Sequence, residues 1–168
     1  MNRFFIVLIL FFSYGAYSQT AEDYFERAYE KDDNGDYYGA ISDLTKAIEL
    51  KPDYAKAYLN RGFAKGRLED YYGAISDYTK AIELNPNYEM ALFYRGTLLL
   101  QEGYNTDAIP DFDRVIKLNN NHSEAYFRRA LAKVVLEGKK TEACEDARKS
   151  LNLGRAESQE FLDVMCNN

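Results

Sequence analysis

The chain offers little from which a catalytic or metal site could be built. Its 168 residues include one histidine, two cysteines, three prolines and no tryptophan. His122, in a turn ahead of Ser123, has no companions for a metal cluster or a Ser-His-Asp arrangement. Cys144 and Cys166 do not make a C-x-x-C pair, so redox catalysis lacks its motif. The ten glycines are scattered, and none falls in the G-x-x-x-x-G-K pattern that cradles phosphate. The stretch "EKDDNGDYYGAI" has the acidic alternation of a calcium loop, but the place of its bidentate glutamate is Ile41. Asp32 to Asp36 therefore reads as a solvated helix end and turn, with Asn34 and Gly35 supplying turn geometry. No metal, no cofactor and no enzymatic activity are expected.

Long apolar runs are also missing, with one short exception. Phe4 to Phe12 ("FFIVLILFF") follows Met1-Asn2-Arg3 and precedes small residues at Ala16 and Ser18. It falls short of the roughly 20 apolar residues that a spanning helix needs and has the pattern of a secretory signal peptide, residues 1–18. Export to a bacterial periplasm or the exterior is expected, with no membrane span once the signal is cut; the alternative is anchoring by an uncleaved segment. No cysteine near the cut could carry a lipid. Without Arg3 the net charge is about −7, and basic residues are interleaved with acidic ones, so the chain has no basic stripe for nucleic acid.

What the chain does contain is repetition. "YYGAISDLTKAIEL" from Tyr37 and "YYGAISDYTKAIEL" from Tyr71 differ only at Leu44 against Tyr78 and start 34 residues apart. Self-alignment at that period frames four units, 21–54, 55–88, 89–122 and 123–154. A unit that cannot cover its own apolar face must bury it against the next copy, so the same surface recurs at a fixed interval. Each unit is expected to be two helices joined by a turn, with "EDYYG" (Glu69–Gly73) as the turn of the second. Pro52 and Pro86 stop second helices, and Pro110 is expected in the first turn of the third unit's second helix.

Small residues recur at slot eight (Ala28, Gly62, Gly96, Ala130), slot twenty (Ala40, Ala74, Ala108, Ala143) and mostly at slot twenty-seven (Ala47, Ala81, Val115, Ser150). Helices that approach closely need small side chains at those places. This pattern resembles the tetratricopeptide repeat (TPR) family and covers nearly all of the chain after residue 18. The fold the resemblance implies is an all-α TPR solenoid of four helix-turn-helix repeats (19–154) with a C-terminal capping helix (155–168), nine helices in all. Two departures stand out. Slot seven, usually Leu, is Arg27, Arg61, Arg95 and Arg129, and the fourth unit carries one extra residue, which puts Ala143 one place late.

The arginine row has a partner row in Asp43, Asp77, Asp111 and Asp146. Helices antiparallel about the turn would bring the rows together as a structural ion-pair ladder, the alternative being an arginine array that binds a ligand. Cys144 and Cys166 lie at similar distances from the bend at Gly154, which makes a disulfide feasible in an exported protein. Cys144 also fills a slot held by isoleucine in the other units, so a plain core role stays open.

The resemblance further implies a concave groove lined by the first helices. Slot five gives Phe25, Leu59, Phe93 and Phe127, and slot nine gives Tyr29, Phe63, Thr97 and Leu131. Slot six adds Asn60, Tyr94 and Arg128, and slot two adds Met90. The expected partner is a protein or peptide held by aromatic anchors. Members that clamp a terminal carboxylate carry Lys and Asn at slots five and nine of the first pair; Phe25 and Tyr29 stand there instead, so chaperone-tail binding is not expected. The alternative function is a self-associating structural or assembly factor of the bacterial envelope.

Overall fold

The computed structural model describes residues 19–166; the expected signal peptide, residues 1–18, lies outside them. Among the described residues there are nine helices and no strand: α1 Ala21–Asp33, α2 Tyr37–Leu50, α3 Ala55–Arg67, α4 Tyr71–Leu84, α5 Glu89–Gln101, α6 Asn105–Leu118, α7 Ser123–Val134, α8 Lys140–Asn152 and α9 Glu157–Met165. Each odd helix packs on the even helix after it, and each even helix on the next odd one, which makes an all-α solenoid. No described helix is long and apolar enough to cross a membrane.

The turn of the second unit is tighter than the sequence reading had it. Only Leu68–Asp70 separate α3 from α4, and Tyr71 to Gly73 are already helical. The reason is the cap: the Asp70 carboxylate accepts the Gly73 N–H at 3.0 Å, as Asp36 accepts that of Gly39 at 2.9 Å. A Cβ at Gly73 would lie 2.1 Å from the Asp70 carboxylate, so glycine there makes room for the folded-over cap. Pro110 falls close to its expected place, just past the first turn of α6. It sits in the second turn of α6, where its missing donor leaves the Thr106 carbonyl without its usual helical partner.

Packing between the two helices of a unit follows a size rule. Slot eight faces slot twenty-four, and the pairs are Ala28 with Leu44, Gly62 with Tyr78, Gly96 with Phe112, and Ala130 with Ala147. Where the partner is aromatic, slot eight is glycine. A Cβ at Gly62 would come 2.6 Å from the Tyr78 ring, and one at Gly96 3.1 Å from Phe112. Tyr78 and Phe112 are both buried in the central cluster with Leu59, Ile82 and Leu92. Leu44 to Tyr78, the one change between the fourteen-residue copies, thus goes with Ala28 to Gly62.

α9 closes the stack. Phe161 and Leu162 pack into the cluster with Ala130, Ala143 and Ala147. A chain of buried hydroxyls runs from Ser158 to Ser150 (2.9 Å) and from Ser150 to the Ser123 carbonyl (2.8 Å), joining α9, α8 and the start of α7. Cys144 and Cys166 are disulfide-bonded and fasten the end of α9 to α8.

Candidate functional site

The structure brings the arginine and aspartate rows together inside each unit. Arg27 meets Asp43, Arg61 Asp77, Arg95 Asp111 and Arg129 Asp146, each through Nε and Nη2 to the two carboxylate oxygens, at 2.5–2.9 Å. This is the two-pronged geometry that favours arginine over lysine. The third prong reaches backwards: Nη1 of Arg61 donates to Thr45 (3.2 Å), that of Arg95 to Thr79 (3.1 Å) and that of Arg129 to Asp113 (2.6 Å). Each of these arginines therefore bonds an aspartate of its own unit and an oxygen of the preceding one. Arg27 has no preceding unit and is 40% exposed, against 17%, 21% and 16% for the others.

Lysines complete three of the four rungs. Lys31, Lys65 and Lys133 stand 2.7–2.9 Å from Asp43, Asp77 and Asp146, whereas the third unit has Leu99 at that place. Hydrogen bonding from Arg27 holds the Asp43 carboxyl below the ordinary aspartate range, with burial opposing it and Lys31 assisting. A depressed value contributes stability above the normal aspartate range, and that stability is lost as the pH falls through the folded value. Burial opposes the charge on Arg129, but the bonds to Asp146 and Asp113 outweigh it and raise its pKa. The aspartates are buried and the guanidiniums turned inward, an arrangement suited to fixing register between units rather than to receiving a ligand.

The residues expected to line the groove divide into two sets. Leu59 does not line it: it is buried at 3% exposure in the central cluster, because α4 and α5 close over it. Phe93 is half-buried against Tyr94, Phe112 and His122, and Phe127 against Phe161. Phe25 leans on Tyr54, with ring centres 5.1 Å apart. Thr97 spends its hydroxyl on the Phe93 carbonyl, and Leu131 packs toward the cap. By contrast Tyr29, Asn60 and Phe63 line an open cleft of about 300 Å³, together with Asp32, Asp33, Arg67 and Met90. Tyr94 stacks edge-on to Phe63 at 4.4 Å. Asp32, Asp33 and Arg67 come from slots twelve and thirteen, one helical turn beyond slot nine on the same face, so the helical period is the signal that could find them.

The far end of the same face is cationic. Arg128 lies over Phe93 (5.7 Å) and bonds Glu124 at 2.6 Å; Arg155 lies over Phe127 (4.8 Å) and also pairs with Glu124. Two guanidiniums share one carboxylate. Burial lowers the Arg128 pKa, and the Arg155 Nε is buried without a hydrogen-bond partner. Arg155 escaped the sequence reading because it sits in the α8–α9 linker, outside the repeat register. Among the described residues no group of histidine, cysteine and acidic side chains could hold a metal ion.

Comparison with known proteins agrees with this geometry. Residues 55–88 match the family model described as tetratricopeptide repeat, and residues 33–69 a model described as TPR repeat. The first TPR of Spaghetti (RPAP3), solved bound to the HSP90 peptide SRMEEVD, is 30% identical with a TM-score of 0.65, over 68% of this chain and 91% of that one. The chain belongs to the tetratricopeptide repeat family. A second TPR structure, the TPR2B domain of yeast Sti1 in a pHsp70 complex, is 27% identical with a TM-score of 0.62, over 68% of this chain and 97% of that one. MamA (residues 41 to the end) from Desulfovibrio magneticus RS-1 shares the TPR fold at a TM-score of 0.82 and 21% identity, covering 88% of this chain and 84% of that one. Comparison with curated proteins gives no match.

Proposed function

We propose that this TPR protein is a non-catalytic protein–protein interaction scaffold that holds a peptide or helix of a partner along the face made by α1, α3, α5 and α7. The observation that carries this reading is the convergence of exposed apolar side chains on one cleft. Tyr29 is 56% exposed and Met90 48%, and both line it although they belong to the first and third units. Large apolar side chains gathered around a concavity mark a binding surface more often than chance exposure does. The peptide bound to the RPAP3 relative supports the mode of binding. It does not carry over its ligand, because Phe25 and Tyr29 stand where a carboxylate clamp has Lys and Asn.

Export to the periplasm or the cell exterior belongs to the same proposal. It rests on the N-terminal pattern of residues 1–18 and is supported by the Cys144–Cys166 bond, since disulfides persist in oxidising compartments. Self-association end to end is disfavoured by charge. α1 exposes Glu22, Asp23, Glu26 and Glu30, and α9 exposes Glu157, Glu160 and Asp163, so like charges would meet.

The test is cross-linking capture from the native envelope with the wild-type chain and with Tyr29→Asp and Met90→Asp. Both side chains are exposed enough that the melting temperature should hold. Loss of the captured partner in both variants is expected; capture that is indifferent to them would remove the groove from the account.

A further inference from the structure

Each buried aspartate carboxylate of the ladder receives two or three donors, but that of Asp32 receives none. Asp32 is half-buried at the end of α1 and lines the cleft; its backbone carbonyl accepts the Gly35 N–H, but no hydrogen bond or ion pair reaches its carboxylate. Burial raises its carboxyl above the ordinary aspartate range, Arg67 opposes the rise from a distance, and Asp33 adds to it. Arg67 does not close on Asp32; its guanidinium lies toward the Tyr37 ring, 6.0 Å away. The cleft therefore holds two carboxylates to one cation, walled by Tyr29, Phe63 and Met90.

Resting on the groove reading above, we propose that this cleft accepts the cationic side chain, arginine or lysine, of an extended partner peptide. The aliphatic stem would lie between Tyr29, Phe63 and Met90, and the charged head would supply Asp32 with the donor it lacks and reach Asp33. The two aromatic walls favour a cation over a neutral occupant. A wholly apolar side chain would bury the Asp32 carboxylate further and leave it without a partner, which is costly. An anionic one would meet two carboxylates at close range.

The test uses a library of blocked, fluorescein-labelled peptides with randomised flanks and a central arginine, citrulline or glutamate, titrated against the wild-type protein and Asp32→Asn. Citrulline keeps the shape of arginine and removes its charge. The arginine peptides should bind roughly three- to tenfold tighter than their citrulline counterparts at low salt, with glutamate weakest, and the advantage should shrink as salt is added. Asp32→Asn should bring the arginine and citrulline peptides to the same affinity. The fold is safe in that variant, since it removes a charge that burial disfavours, and the melting temperature checks this. Equal affinities in the wild type, or an arginine preference that survives Asp32→Asn, would overturn the cation site while leaving the groove reading standing. Binding by none of the peptides would overturn both.

Discussion

The first two units and the last two build the same hairpin from different parts. In units one and two the caps are Asp36 and Asp70, the residues folded beneath them are Gly39 and Gly73, and Lys31 and Lys65 join the arginine on each buried aspartate. In unit three Tyr104 gives α6 no side-chain cap, Pro110 interrupts it, and Leu99 leaves Asp111 with Arg95 alone. In unit four Lys139 gives α8 no side-chain cap, and the extra residue widens the arginine–aspartate separation from 16 to 17 without breaking the pair. What the later units lose in caps, the end of the chain recovers by a disulfide and a buried hydroxyl chain. Spatial register is thus held by whichever contact is at hand, while the local devices are replaceable.

That contrast can be broken first at the ladder. Arg95→Ala strands the Asp111 carboxylate in the core and should cost about 3–5 kcal/mol in denaturant unfolding. Arg61→Ala should cost clearly less because Lys65 stays on Asp77, and Arg27→Ala least of the three. Equal losses would show that the lysines contribute nothing. Next comes the disulfide: changing both Cys144 and Cys166 to Ser should lower stability by about 3 kcal/mol on the chain-entropy argument. Hydrogen exchange should speed up in α9 and leave α1 and α2 untouched.

The size rule gives a smaller effect with a built-in rescue. Gly62→Ala pushes on the Tyr78 ring and should destabilise by about 1–3 kcal/mol; adding Tyr78→Leu recreates the Ala28–Leu44 pair and should recover part of that loss. A double-mutant cycle with no coupling would refute the pairing. The smallest effect sits in a turn. Glu69 holds φ at 62° where the other units have glycine (Gly35 at 79°, Gly103 at 82°, Gly138 at 75°), so Glu69→Gly should stabilise by up to about 1 kcal/mol, read as a rise in melting temperature.

Much of this was legible because the chain is quasi-periodic. Once the period is seen, slots eight, twenty and twenty-seven mark the close approaches, and the Arg and Asp rows stand out as columns. The turn at Tyr71–Gly73 was misplaced because a glycine pair of repeats reads as loop until the Asp70 cap above it is known. The groove was legible as a face and not as a surface. Leu59 and Phe25 occupy the same slot, but Leu59 lies mid-stack in the central cluster with side chains of α4 and α5, while Phe25, in the first unit with no unit before it, is only half-buried against Tyr54. Arg155 carried no signal at all, since a linker residue has no column to belong to.

The sequence by itself determined the unit, its length, its two-helix form and the residues that must be small, because those follow from local propensity and from the demand that every copy bury the same face. Tertiary structure alone decided which donors reach across units, which groove side chains stay open, and that Asp32 ends up without a partner. Those outcomes depend on where neighbouring helices lie in space, and a repeat at one end of a stack, in its middle or beneath a cap meets different neighbours with the same letters.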